Sequence, residues 1–257
     1  MMKHGDFTGL AGDYAKFRPG YAPQVATAIL GYVGRRTASI DAADVGAGTG
    51  IWTRMLAARG LHSVVAVEPN DDMREQGIET SRGTGIVWHK GSAEDTGLPD
   101  GSVDLVSMAS SLHWADFDKA CEEFHRILRP SGIFVALWNP RFIEANPLLV
   151  EIEAEITRLK PDIRRVSSGR SGITERLTDV LGAKPNFTEV LYMEGRHSLH
   201  QTPSQYIGVW RSVNDLQVQL GAELFRKFLA FTEERIAGLT TIETTYVTRA
   251  WLVRRTG

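Results

Sequence analysis

Between residues 40 and 59 a short strand-like run, Ile40–Val45, passes through Asp44-Val45-Gly46-Ala47-Gly48-Thr49-Gly50 into a helical pattern that ends at Gly60. Strand, glycine-rich turn and helix in that order constrain the fold more than any other feature. Glycines let the backbone turn sharply and let a ligand come close to the main chain. A second β-branched run, Ser63–Val67, ends at Glu68, whose carboxylate can accept hydrogen bonds from both hydroxyls of a ribose. This is the layout of a site for a nucleoside-containing cofactor.

Similar runs follow at Ile86–Trp88, Val103–Met108 and Ile133–Trp138. Several are apolar on both faces, as expected of strands covered on both sides by helices. Helical patterns lie between them. In the clearest, Phe117–Leu128, apolar residues recur at three- and four-residue steps until Arg129-Pro130-Ser131-Gly132 breaks it. Another begins at Asn70, which can cap it, with Asp71 and Asp72 in its first turn. Late strands are expected at Phe187–Met193 and Ile242–Val253, as an antiparallel pair at one sheet edge. Helices near Pro203–Trp210 and Ala222–Ile236 separate them. The expected architecture is α/β: a doubly wound, Rossmann-like, seven-stranded, mostly parallel sheet with one antiparallel edge strand, plus a helical cap or lid. Residues 1–35 would form N-terminal helices over the cofactor. Residues 36–140 and 185–257 would form the core, and 141–184 an inserted cap contributing to the substrate pocket.

The loop chemistry distinguishes between cofactors. A dinucleotide fingerprint reads G-x-G-x-x-G, but here Ile51 takes the place of the third glycine. Asp44, two residues before the first glycine, is poorly placed for a phosphate and well placed for a cation. S-adenosylmethionine carries an ammonium and a sulfonium and no phosphate, so the loop favours it over NAD. Over roughly residues 7–138 the chain resembles the class I S-adenosylmethionine-dependent methyltransferases, in their small-molecule, type 11 branch. Asp44 to Gly50, with Gly46, Ala47 and Gly48, resembles the motif that holds the methionine part of the cofactor. Glu68-Pro69-Asn70 and Met73 resemble the second motif, which implies Glu68 on the ribose and Met73 near the adenine. Gly91-Ser92-Ala93-Glu94 resembles the segment at the adenine edge, and Ser110–Trp114 the strand end beside the transferred methyl. Tyr14-x-x-x-Arg18-Pro19-x-Tyr21 resembles a cofactor-covering segment, with Arg18 at the cofactor carboxylate. The resemblance implies S-adenosylmethionine as methyl donor, S-adenosylhomocysteine as product and a small molecule as acceptor.

On the acceptor side, His113 is the candidate base or orienter, since an imidazole can take a proton near neutral pH; the alternative is a histidine that only packs. Trp114 and Trp138 follow strand ends and could form walls of the substrate site, with Tyr21 beside them. Arg170 lies in the Arg- and Ser-rich run 164–171. It could belong to a lid that binds an acidic or carbonyl-rich substrate, or to a solvated loop. Tyr206 and Trp210 read as core, and Cys121 as a small buried hydrophobe. The aromatic residues near the site favour N- or O-methylation of a planar or aromatic metabolite, as in secondary metabolism. C-methylation of a keto-acid-like metabolite, or an NAD-dependent oxidoreductase, is the alternative.

Twenty-nine basic residues against 31 acidic ones, net −2, create no field to draw in nucleic acid or an anionic membrane. A single cysteine permits no internal disulfide and suits a reducing compartment. There is no signal-peptide pattern, no apolar run of roughly 18 residues and no metal-ligand spacing. A soluble cytoplasmic enzyme without a metal is expected, its oligomeric state open.

Overall fold

The computed structural model describes residues 12, 16–164, 172–188 and 190–257. Seven strands form one sheet: β1 (Asp41–Val45), β2 (Ser63–Val67), β3 (Val87–His89), β4 (Val103–Ala109), β5 (Leu128–Trp138), β6 (Leu191–Gln201) and β7 (Ile242–Arg254). Their spatial order is β3-β2-β1-β4-β5-β7-β6. The first five are parallel. β7 runs antiparallel to both β5 and β6, so the antiparallel strand lies one place in from the edge that β6 forms. The helices are α1 (Pro23–Val33), α2 (Ile51–Ala57), α3 (Asp71–Thr80), α4 (Phe117–Ile127), α5 (Pro147–Leu159), α6 (Ile173–Gly182), α7 (Pro203–Arg211) and α8 (Asn214–Arg235).

Local chemistry sets the helix starts. The Asn70 side chain accepts the Met73 N–H at 3.0 Å and Asp116 accepts that of Lys119, each meeting a donor the first turn leaves open. α1 begins at Pro23 and closes on Gly34, whose φ is 75°. Apolar stripes then cover both faces of the sheet. On one, Phe124 of α4 and Leu177 and Leu181 of α6 pack with Phe134, Trp138 and Trp251. On the other, Val25 and Ile29 of α1 and Trp52 and Leu56 of α2 pack with Ile133, Val135 and Leu252. A third cluster joins α5, α7 and α8 through Leu149, Ile152, Ile156, Tyr206, Trp210 and Phe228. Residues 141–184 are therefore divided: α5 joins the α7–α8 layer, and α6 lies against the sheet.

Two late elements differ from the sequence expectation. β6 starts at Leu191 and runs to Gln201, instead of covering Phe187–Met193; Phe187 makes only an isolated bridge to Arg255. As an edge strand, β6 is half-exposed along almost its whole length, so it shows no apolar run. The last long helix begins at Asn214, eight residues before Ala222, and breaks at Gly221, where φ is 69°. Among the described residues no helix is long and apolar enough to cross a membrane. The strand order reverses between β1 and β4, and crevices at the carboxyl ends of strands on either side of such a point are where open α/β sheets bind ligands.

Candidate active site

A cleft of about 240 Å³ lies at that point. Its floor is the β1–α2 loop, where Gly46 and Gly48 have φ of 64° and 58°. A Cβ at Gly46 would fall 2.7 Å from the Ser111 side chain, so this position demands glycine for space as well as for conformation. The loop is tied to its neighbour by the Ala47 N–H, which donates to the Val67 carbonyl at 3.1 Å. Glu68, 7% exposed, accepts the Gly48 N–H at 2.7 Å and the Asn70 N–H at 2.9 Å. Burial raises its pKa, and these hydrogen bonds oppose the rise. Pro69, Met73, Ser92, Ala93 and Glu94 continue this wall. The Glu94 carboxylate also accepts the Asp116 N–H at 2.7 Å, linking the wall to the start of α4.

The other end is built from the N-terminal segment and the ends of β4 and β5. Ser110 has φ of 57°, a left-handed conformation that costs a non-glycine residue energy and concentrates at functional sites. Its N–H donates to the Leu137 carbonyl at 2.7 Å, and its hydroxyl lies 3.0 Å from that of Tyr21. The Arg18 guanidinium donates to the Ser212 hydroxyl at 2.9 Å and its carbonyl at 3.2 Å. Asn139 and His197 both donate to the Gly20 carbonyl, at 2.9 and 3.0 Å. Trp114, 42% exposed, stands on the wall.

Of the residues singled out in the sequence, the cleft brings together Arg18, Tyr21, Gly46, Ala47, Gly48, Glu68, Pro69, Met73, Ala93, Glu94, Ser110 and Trp114. Tyr14 and Arg170 lie outside the described residues. Three others stand elsewhere. Asp44 is fully buried beneath the loop, where Thr53 and Ser107 donate hydroxyls to its two oxygens at 2.6 and 3.0 Å. Burial raises its pKa to about 7, with Glu68 adding to the rise. It supports the loop from below and does not line the cleft. Trp138, 2% exposed, is core: β5 still pairs with β7 at Trp138 and Arg249, and the ring packs edge-on against Trp251 at 5.8 Å.

His113 is also off the cleft wall. Its ring sits 4.5 Å from that of Trp114 and 6.2 Å from that of Trp138, and neither nitrogen has a protein hydrogen-bond partner. Burial lowers its pKa to about 4, opposed by Asp215. At neutral pH such a ring is uncharged but a weak base. Sequence reasoning missed Asn139, Ser111 and Trp52, which also line the cleft. Asn139, the first polar residue after β5, carried a readable signal, and Ser111 lay within the Ser110–Trp114 segment without being singled out; Trp52 carried none without the fold.

Residues 43–136 match the family model of a methyltransferase domain. Over that stretch, which runs from β1 into β5, the chain is similar to methyltransferase domains. It is 38% identical over 135 residues to an uncharacterised methyltransferase of Mycobacterium tuberculosis, the match covering 52% of each chain. The chain thus spans about half the length of the curated relatives it matches. Among solved structures, a provisionally named Type II methyltransferase from Anaeromyxobacter dehalogenans shares the fold with a TM-score of 0.66. It is 24% identical, with 93% of this chain and 98% of that one covered. A Haemonchus contortus phosphoethanolamine N-methyltransferase, solved with S-adenosylhomocysteine, aligns with a TM-score of 0.56 at 13% identity, covering 98% of this chain and 59% of its own. The loop's own chemistry is compatible with that cofactor: Gly46 leaves a cradle that a Cβ would fill, Glu68 offers a carboxylate on the cleft wall, and Ile51 takes the third-glycine place of a dinucleotide fingerprint.

Proposed function

We propose that this methyltransferase moves a methyl group from S-adenosylmethionine to nitrogen or oxygen of a small planar acceptor. One observation carries the reading: a single cleft joins the glycine loop and Glu68 at one end to Arg18, Tyr21, Ser110 and Trp114 at the other. The donor supplies an electrophilic methyl carbon on a cationic sulfur. The acceptor lone pair forms the new bond to that carbon as the carbon–sulfur bond breaks, its electron pair passing to sulfur and the acceptor proton to water. The leaving group departs neutral, so the residues act mainly by holding and orienting. Glu68 binds the ribose, Met73 and Ala93 flank the adenine, and Arg18 meets the carboxylate while anchored on Ser212. Orientation of this kind supplies roughly 7–11 kcal/mol. His113, too weak a base at neutral pH, is assigned an orienting role. Residues 16–22 cover the cofactor, and the α5–α7–α8 layer caps the acceptor end.

The test is calorimetric titration with S-adenosylhomocysteine, with NADH alongside. Saturable binding of the thioether, lost in Glu68→Ala and absent for NADH, supports the assignment. NADH binding without thioether binding overturns it in favour of an oxidoreductase.

A further inference from the structure

Just before α1, the main chain of Gly20–Ala22 is held by side chains that come from the far end of the sequence. Asn139, just past β5, and His197 of β6 both donate to the Gly20 carbonyl, at 2.9 and 3.0 Å. The Ala22 N–H donates to the Thr248 hydroxyl of β7 at 2.7 Å, and that hydroxyl donates to Asn139 Oδ1 at 2.8 Å. Between them the Tyr21 N–H donates to the Met55 sulfur at 3.3 Å. The bonds close a circuit: Ala22 to Thr248, Thr248 to Asn139, Asn139 back to Gly20. Its sense is fixed by chemistry. An N–H can only donate, so the one proton of Thr248 goes to the Asn139 oxygen, which turns the amide NH2 towards the carbonyl.

This circuit is built into the core. Ala22 and Thr248 have no exposed surface, so an unmade bond there is not replaced at no cost by water. Ala250 and Leu252, next along the same face of β7, belong to the apolar cluster under α1. Thr248 therefore interrupts an apolar face with a hydroxyl that serves only this circuit.

A short, stiff tether carries its effect into the cleft. Arg18, Tyr21 and Asn139 line the cleft, and Thr248 does not. Pro19 alone separates Arg18 from Gly20; its ring fixes its own φ and restricts the residue before it. A fixed Gly20 thus sets the direction in which Arg18 leaves the chain, towards the Ser212 hydroxyl at 2.9 Å.

We infer that Thr248 and Asn139 are positioning residues: through the circuit at Gly20–Ala22 they aim Arg18 at the carboxylate of the bound cofactor. This rests on the methyltransferase reading of the cleft, and it makes the last strand of the sheet part of the cofactor site's support. The effect is confined to the amino-acid end of the cofactor, away from the adenosine end at Glu68, Met73 and Ala93.

The test is calorimetric titration of wild type, Thr248→Val and Thr248→Ser with two thioethers. One is S-adenosylhomocysteine; the other is 5′-deoxy-5′-methylthioadenosine, which keeps the adenosine and the sulfur but lacks the carboxylate. Valine keeps the shape of threonine and can neither donate nor accept. Thr248→Val should weaken S-adenosylhomocysteine by about tenfold and methylthioadenosine by less than about twofold. Thr248→Ser, which restores the hydroxyl, should recover the wild-type affinity. In an Arg18→Ala background Thr248→Val should cost S-adenosylhomocysteine little more, because the two changes remove one interaction. That cycle decides the matter if methylthioadenosine binds too weakly to titrate, and half-buried Asn139→Ala takes the place of Thr248→Val if the latter does not fold. Equal loss of both thioethers, unchanged S-adenosylhomocysteine binding, no recovery in Thr248→Ser, or full additivity with Arg18→Ala would each overturn the inference. Absence of S-adenosylhomocysteine binding in wild type would instead sink the methyltransferase reading itself.

Discussion

Asp44 has no exposed surface and two hydroxyl donors, and burial raises its pKa to about 7, with a second acid, Glu68, adding to the rise. A carboxyl whose folded pKa is raised favours the folded state most below its unfolded value, and this contribution is lost as pH rises through about 7. A cation bound above the loop reverses the preference, because it stabilises the ionised carboxylate. S-adenosylmethionine should therefore bind more tightly as pH rises from about 5 to 8, releasing a proton at the acid end of that range. Calorimetry in buffers of different ionisation enthalpy measures the release. Asp44→Asn should abolish it and weaken S-adenosylmethionine by about tenfold, with less effect on the uncharged thioether. Proton release that persists in Asp44→Asn would assign it to Glu68 instead. Ser110→Gly tests a second residue: relief of the left-handed strain should raise stability by about 1 kcal/mol, seen as a higher melting temperature, while removing the hydroxyl that meets Tyr21. The acid before the glycines was legible in sequence. Its role was not, because its partners Thr53 and Ser107 come from α2 and β4, and only the fold brings them to its two oxygens.

The parallel strands and their helices were readable because burial on both faces writes apolar runs and helical periodicity into the chain. β6 was misplaced because an exposed edge needs no such run, and α8 was found late because Gly221 interrupts it. A further contact left no trace in the sequence pattern. The Phe17 ring lies against Gly208 in α7, where a Cβ would fall 2.4 Å from the ring. With Arg18 on Ser212, this docks the N-terminal segment over the cleft onto the helical layer. Gly208→Ala should push Phe17 away and weaken S-adenosylhomocysteine by roughly fivefold or more, about 1 kcal/mol of lost cover. Phe17→Ala in the same background should add little further loss, since coupled neighbours are not additive. Full additivity of the two changes would show that the contact does not hold the segment.

At the scale of the whole molecule, three packing units meet around one cleft: the two sheet faces and the α5–α7–α8 layer. The segment carrying Phe17, Arg18 and Gly20 is bonded to more than one of them, through Ser212 of the helical layer and through Asn139 and His197 at the sheet. A ligand that binds the folded cleft alone should then stabilise the chain as a unit. At a hundred times its dissociation constant it adds about 2.7 kcal/mol, and for a chain of this size that corresponds to roughly 5–10 °C in melting temperature. Differential scanning calorimetry with S-adenosylhomocysteine should show one transition moved by that amount, and NADH should move nothing. Two transitions, with only the higher one responding to the thioether, would mean that the helical layer unfolds apart from the sheet. The N-terminal segment would then be anchored by the sheet contacts alone, and Gly208→Ala should leave cofactor binding unchanged. A single shifted transition, with binding lost in Gly208→Ala, requires the helical layer to be part of the cofactor site's support.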